Sequence, residues 1–234
     1  HNFSDPTKWW KIASMSGESQ TVTMSADGNY VWVGTANGLL IRVSNINEAR
    51  SLETADLDNA SPDLKIVSEQ VRSFSGRNVT GIAVDPNNPD RVAVTLGNYG
   101  NTSYVYFSNN ATSANPTFNI KQGNLPAFPT YSVTFDKGNA SSLVIGTENG
   151  IFSTDDINAT VPTWTEENNG IPRIPVFTLV QYRTNANSPD ANMAVYEGDI
   201  FVGTHGRGMY VTEDLMTARP VDVKEEAPLI FSKA

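Results

Sequence analysis

One stretch of this chain occurs twice without a gap, and that repetition restricts the possible folds more than any other feature. Residues 164–179 lie over residues 118–133 at a constant offset. Trp164 falls on Phe118, Ile171 on Leu125, Pro172 on Pro126, Pro175 on Pro129 and Phe177 on Tyr131. A repeat of about fifty residues marks a solenoid, a propeller or an array, because one unit cannot bury its apolar face without a neighbour.

The unit has four parts. The first is the run at 21–24, 79–84, 131–135 and 176–180. The second, rich in β-branched and aromatic residues and so a strand, is at 30–35, 91–95, 142–147 and 200–204. A glycine-containing turn leads to the third, at 39–43, 104–107, 151–152 and 209–211. Asn37-Gly38 and Asn149-Gly150 are hairpin turns, since both positions accept positive φ. The fourth follows a proline that cannot continue a ladder, in Pro62-Asp63-Leu64, Pro116-Thr117-Phe118 and Pro162-Thr163-Trp164, with Pro220-Val221-Asp222-Val223 a weaker copy.

Four short strands per unit read as an all-β fold, a β-propeller of four-stranded antiparallel blades. Four blades are visible, over 18–75, 76–126, 127–173 and 174–223. They are expected to belong to a larger ring of about six to eight blades. Residues 1–17 then carry the closing strand of a preceding blade, at 7–12, and 224–234 form a linker tail. The alternative is that the strand at 7–12 closes the fourth blade in a small ring. The chain opens on His1-Asn2-Phe3, which reads as the interior of a longer protein or a processed product. Polar insertions at 47–61 and 184–197 read as loops.

Composition narrows the partners. The 234 residues carry a net charge of −9, which disfavours nucleic acid and anionic membrane surfaces. No apolar run approaches the roughly 20 residues that cross a bilayer, so membrane insertion is not expected. There is no cysteine, hence neither a disulfide nor a thiolate–metal site. Asp56-Leu57-Asp58-Asn59 offers oxygen ligands but lacks the glycine and distal glutamate of a calcium loop, so it reads as a solvated insertion. No metal and no cofactor are expected. Trp9, Trp10, Trp32 and Trp164 have faces that suit sugars, but strand positions make inter-sheet core the default.

Ser153-Thr154-Asp155-Asp156, followed by Pro162-Thr163-Trp164, resembles the Asp box of bacterial neuraminidase repeats, Ser-x-Asp-x-Gly-x-Thr-Trp. It lacks the central glycine and has extra residues before Trp164. Weaker copies are Ser108-Asn109-Asn110 with Pro116-Thr117-Phe118, Ser44-Asn45 and Thr212-Glu213-Asp214. Asp155 is expected to hold its turn by accepting backbone N–H groups. Val202-Gly203-Thr204-His205-Gly206-Arg207-Gly208-Met209-Tyr210 resembles the closing-blade signature of sialidase-like and Vps10-like propellers. The tail ending Pro228-Leu229-Ile230-Phe231-Ser232-Lys233 resembles the link before a type IX secretion sorting domain in Bacteroidetes exoproteins. That likeness implies a protein secreted or held on the outer cell surface.

In a propeller the turns between second and third strands, and the connections between blades, open on one face around the axis. The turns put Asn37, Asn98, Tyr99, Glu148, His205 and Arg207 there, and the connections put Arg77, Phe128 and Arg173 there. These are the candidate ligand-binding residues. His205 has the chemistry of a proton shuttle or ligand, and Arg207 that of a fork onto a carboxylate or phosphate. Alternatively, Gly206 and Gly208 make a tight turn and Arg207 lies along the sheet edge. One histidine does not make a zinc site.

Glycoside hydrolysis needs two opposed carboxylates, for which Glu148 and Glu197 are the candidates on this face. Glu148, Glu197 and His205 are thus the catalytic candidates. The sialidase-like resemblance implies three arginines around a substrate carboxylate and a tyrosine nucleophile. Arg77, Arg173, Arg207 and Tyr99 are the residues available for them. The expected function is a non-catalytic extracellular or cell-surface module that binds a glycan or a protein. The alternative is a sialidase-like glycoside hydrolase with its site on the axial face. Open blade edges expect cover from other chains or from the absent part of the same propeller.

Overall fold

A computed structural model describes residues 12–47, 66–183 and 196–212. Residues 7–11 of the expected lone strand, the 56–59 run, the copy at 220–223 and the tail lie outside the described residues. Fifteen strands form four antiparallel sheets, each a meander in chain order. The first sheet is β1 (Ser19–Met24), β2 (Tyr30–Thr35), β3 (Leu39–Ser44) and β4 (Val67–Ser73). The second is β5 (Val79–Asp85), β6 (Asn88–Leu96), β7 (Val105–Ser108) and β8 (Asn119–Ile120). The third is β9 (Thr130–Phe135), β10 (Leu143–Thr147), β11 (Gly150–Thr154) and β12 (Thr165–Glu166). The fourth has three described strands, β13 (Val176–Gln181), β14 (Ile200–Thr204) and β15 (Met209–Thr212). No described helix is long and apolar enough to cross a bilayer.

The sheets are arranged as blades. The first strand of each rests on the first strand of the next, β1 on β5, β5 on β9 and β9 on β13. No comparable contact joins β13 to β1 among the described residues. Between successive blades lie three apolar cores. Trp32 of the first blade meets Phe118 of the second edge-on at 6.4 Å. Phe107 of the second meets Phe135 of the third at 6.4 Å, with Trp164 buried in the same core. Val144 and Ile151 of the third pack with Val176, Leu179 and Val202 of the fourth. Phe118 and Trp164, aligned in the sequence repeat, are therefore equivalent in space, and burying such a side chain contributes about 1.5–3 kcal/mol.

Two glycines explain how closely the blades approach. A Cβ on Gly34 would lie 2.4 Å from Val79 Cγ1, and one on Gly146 would lie 2.6 Å from Val176 Cγ1. Val79 and Val176 open the next blade, so the missing side chain in one blade seats the first strand of its neighbour.

Basic side chains then tie blade to blade. Arg42 Nη1 donates to the Ala111 and Ser113 carbonyls at 2.6 and 2.8 Å, and its Nη2 pairs with Glu69 at 2.7 Å. Arg91 pairs with Asp85 at 2.8 Å and reaches the Ala140 carbonyl and Asn158 of the third blade at 2.6 and 2.7 Å. Lys121 donates to the Ala159 carbonyl at 2.6 Å, and burial lowers its pKa. Arg183 of the fourth blade donates to Phe135 O at 2.7 Å, with its pKa likewise lowered by burial.

The Asp-box-like turn differs from expectation in one residue. Asp156, not Asp155, accepts a backbone N–H there, from Asn158 at 3.0 Å. Asp155 is exposed, and its backbone carbonyl accepts from Asn139. Both carboxylates are exposed, and one residue of register decides which of them holds the turn.

Candidate binding face

The first strand of every blade carries an irregularity at the same place. The ladder with the second strand skips Gln20 in β1, Thr80 in β5, Tyr131 in β9 and Phe177 in β13. Each is the extra residue of a β-bulge, a device that re-aims a side chain. The bulges sit at the end where Thr147 pairs with Thr130 and Thr204 with Val176. They therefore rise beside the turns between second and third strands, on the face that opens around the axis.

There the bulge residues meet the turn residues. Tyr131 Oη donates a hydrogen bond to the Glu148 carboxylate. The turn bearing Glu148 is pinned by its N–H donating to the Pro129 carbonyl at 2.9 Å. The Tyr131 ring meets Phe177 edge-on, with centroids 4.8 Å apart and planes at 62°. Phe177 in turn meets the His205 imidazole at 5.5 Å and 51°. His205 N donates to Pro175 O at 2.9 Å, which fixes its turn over the start of β13.

Tyr99 closes the cluster from the second blade. The nearby Glu148 side chain is the main cause that raises its phenol above the ordinary tyrosine range. Tyr131 is pushed well above that range too, by burial first and by Glu148 next. Both phenols therefore stay protonated beside one carboxylate, to which Tyr131 donates. A carboxylate has about four acceptor positions, so Glu148 keeps capacity for a further donor. Tyr99 is 68% exposed and Phe177 48%, while Glu148 is half-buried. Among the described residues no cation is ion-paired with Glu148.

Most of the other candidates are engaged by neighbouring parts of the scaffold. Arg77 lies over the Tyr104 ring at 4.7 Å and donates to Ser103 O at 2.5 Å and Gly97 O at 3.4 Å. Burial lowers its pKa. It positions the 97–103 loop that carries Tyr99. Asn98, at φ 68°, accepts from Asn78 N at 2.7 Å and ties the same loop to the inter-blade connection. Asn37 is exposed and accepts from Thr35 Oγ1 at 2.6 Å within its own turn. Phe128 packs at 5.8 Å on Phe152, at the rim of the second core. Arg173 forks onto Glu166 at 2.7 and 3.0 Å, which raises the pKa of Arg173 and lowers that of Glu166. Arg207 is exposed in the His205 turn and ion-paired with no described residue.

Glu197 is not beside Glu148. It precedes β14 at the end where Ile200 pairs with Gln181, and it bonds Lys137 in the turn that follows β9. The expected pair of carboxylates is split between opposite ends of the blades, because Glu197 leads into the second strand instead of leaving it. Nor do Arg77 and Arg173 converge with Arg207, since each is committed to the partners above.

Tyr131 and Phe177 are the members of the cluster that sequence reasoning placed only in strands. Their alignment in the repeat was the signal. Alternation along a strand does not announce a bulge, so their direction was hidden. A separate cleft of about 570 Å³ lies between the third and fourth blades, lined by Val144, Ile151, Ile171, Ile200 and Tyr210 with Glu167 at its edge. Glu167 accepts from Ser153 Oγ at 2.5 Å. No group of three or more metal-ligating side chains occurs among the described residues.

No protein-family model and no curated protein matches the chain. Solved structures do. The Myceliophteria thermophila Cps50 (Swd1) beta-propeller domain is similar at a TM-score of 0.50 and 12% identity, over 82% of this chain and 50% of that one. The fold is a β-propeller. Chaetomium thermophilum Sqt1, bound to the N-terminus of ribosomal protein L10, is similar at a TM-score of 0.53 and 16% identity, over 85% of this chain and 44% of that one. The computationally designed Ika4 protein is similar at a TM-score of 0.52 and 13% identity, over 86% of this chain and 94% of that one. The propeller blades here thus span half or less of the two natural chains.

Proposed function

We propose that this propeller is a non-catalytic binding module that takes a protein segment on its axial face. One observation carries the reading. Side chains from three blades, Tyr99, Tyr131, Glu148, Phe177 and His205, converge on one surface and leave two aromatic rings open to solvent. Exposed tyrosine and phenylalanine offer large contact area at low cost in side-chain entropy, as interface centres do. The same fold carries a protein segment in Sqt1, whose structure includes the N-terminus of ribosomal protein L10.

Glycoside hydrolysis has one feature in its favour, the Tyr131–Glu148 hydrogen bond, which pairs a phenol with a carboxylate as a tyrosine nucleophile would require. Against it, the Tyr131 pKa is raised, opposite to activation, and the arginines meant for a substrate carboxylate are engaged elsewhere. A secreted or outer-cell-surface location belongs to the same proposal. It is supported by the tail's likeness to a type IX sorting link.

The test is selection of a displayed peptide library against the immobilised chain, beside an oligosaccharide array and a panel of aryl glycosides. Peptide binding that Phe177→Ala abolishes and Lys137→Ala leaves intact is expected. Aryl glycoside turnover, or oligosaccharide binding with no peptide selected, overturns the reading.

A further inference from the structure

The walls of the cluster indicate what kind of group enters it. A sugar ring or a base stacks on one flat platform, but the Tyr131, Phe177 and His205 rings meet at 62° and 51° and make a corner. The polar group in that corner is a carboxylate, which only accepts, and its one hydrogen-bonded phenol is Tyr131. Among the described residues no arginine or lysine is ion-paired with Glu148, so the carboxylate keeps acceptor capacity on its open side. Aromatic faces attract a cation through their negative π-surface, and a half-buried carboxylate with spare acceptor positions adds charge-assisted hydrogen bonds. The chain as a whole carries −9, which favours approach of a basic partner.

We propose that the corner formed by Tyr99, Tyr131, Glu148 and Phe177 binds the cationic head group of an arginine or lysine side chain on the partner. This rests on the reading of the face as protein-binding and adds the chemistry of its anchor. Arg77 and Asn98 act as positioning residues, since they hold the loop that brings Tyr99 to the carboxylate. An arginine would use its planar fork on the free side of Glu148 and its flat face on a ring, and a lysine would act as a point charge.

The test titrates the full chain, with 13C-labelled tyrosine rings, with acetyl-Gly-Arg-Gly-amide and with its lysine and citrulline counterparts. Citrulline keeps the shape of arginine and removes the charge. The charged peptides are expected to move the Tyr99 and Tyr131 ring signals and to bind about tenfold more tightly than the citrulline peptide. Glu148→Gln, which keeps an acceptor for Tyr131, is expected to erase that difference while the amide spectrum stays folded. Phe177→Leu is expected to weaken the charged peptides alone. Equal affinity for arginine and citrulline peptides overturns the cationic anchor but leaves a protein-binding face. Ring shifts with neutral oligosaccharides and none with any peptide overturn both.

Discussion

Arg42 and Ala111 belong to different blades, yet the buried guanidinium of one donates to the backbone carbonyl of the other at 2.6 Å. This bond, with its companions to Ser113 and Glu69, joins the third strand of one blade to the loop leaving the third strand of the next. The side chain sits at the seam where Trp32 meets Phe118.

Arg42→Met tests the worth of that tie. The substitution keeps the apolar stem, strands two carbonyls and releases Glu69, whose side chain is 48% exposed and stays hydrated. A loss of about 2–3 kcal/mol is expected, the scale for charge-assisted bonds to groups left unsatisfied. Urea unfolding with an unchanged slope and a lower midpoint is the measurement. A midpoint within error of the wild type would show that the carbonyls find water at no cost.

Gly146 and Gly203 occupy the same place in successive blades but should respond differently to alanine. At Gly146 the new Cβ falls 2.7 Å from Val176 O and 2.4 Å from Ser132 Oγ, so the blade interface must shift. At Gly203 the nearest atom is Thr178 Cβ, at 3.3 Å, within the same blade. Gly146→Ala is expected to cost about 1–3 kcal/mol and Gly203→Ala less than about 1 kcal/mol. Thermal unfolding of the two variants side by side checks it, and equal losses would contradict the seating role of Gly146.

The phenols give a pH dependence with a definite sign. A folded pKa raised above the ordinary value near 10 means the folded protein holds its proton longer than the unfolded chain. That stabilisation is complete below the ordinary tyrosine range and is lost as pH rises toward the folded value. Glu148→Gln should bring Tyr99 back most of the way, since Glu148 is its main cause, and Tyr131 only in part, since burial remains. A carbon-detected tyrosine titration above pH 9 reads both residues separately. Equal recovery of the two would mean that burial of Tyr131 matters less than its carboxylate.

Much of the architecture was legible before any coordinates, because the repeat is written in residues that every blade needs. Phe118 and Trp164 recur since each fills one inter-blade core, and Gly34 and Gly146 recur since each seats the next blade. The end of the blade on which Tyr99, Glu148 and His205 lie was likewise legible, because the strand order assigns it. What stayed hidden depends on contacts distant in the chain. Arg77 and Arg173 look the same as free arginines until Ser103 and Glu166 are seen to occupy them. The direction of Tyr131 and Phe177 depends on one unpaired residue per first strand, which leaves no mark in hydrophobic alternation.

Among the described residues the first strands pack chiefly on their immediate neighbours along the series, and that has a mechanical meaning. Cohesion in such an assembly is a sum over adjoining pairs, so damage at one seam is felt elsewhere only through the blades between. The second and third blades are each gripped on two sides, and they carry Tyr99, Tyr131 and Glu148. Three members of the proposed binding face, Tyr99, Tyr131 and Glu148, thus stand on blades that are packed against a neighbour on both sides.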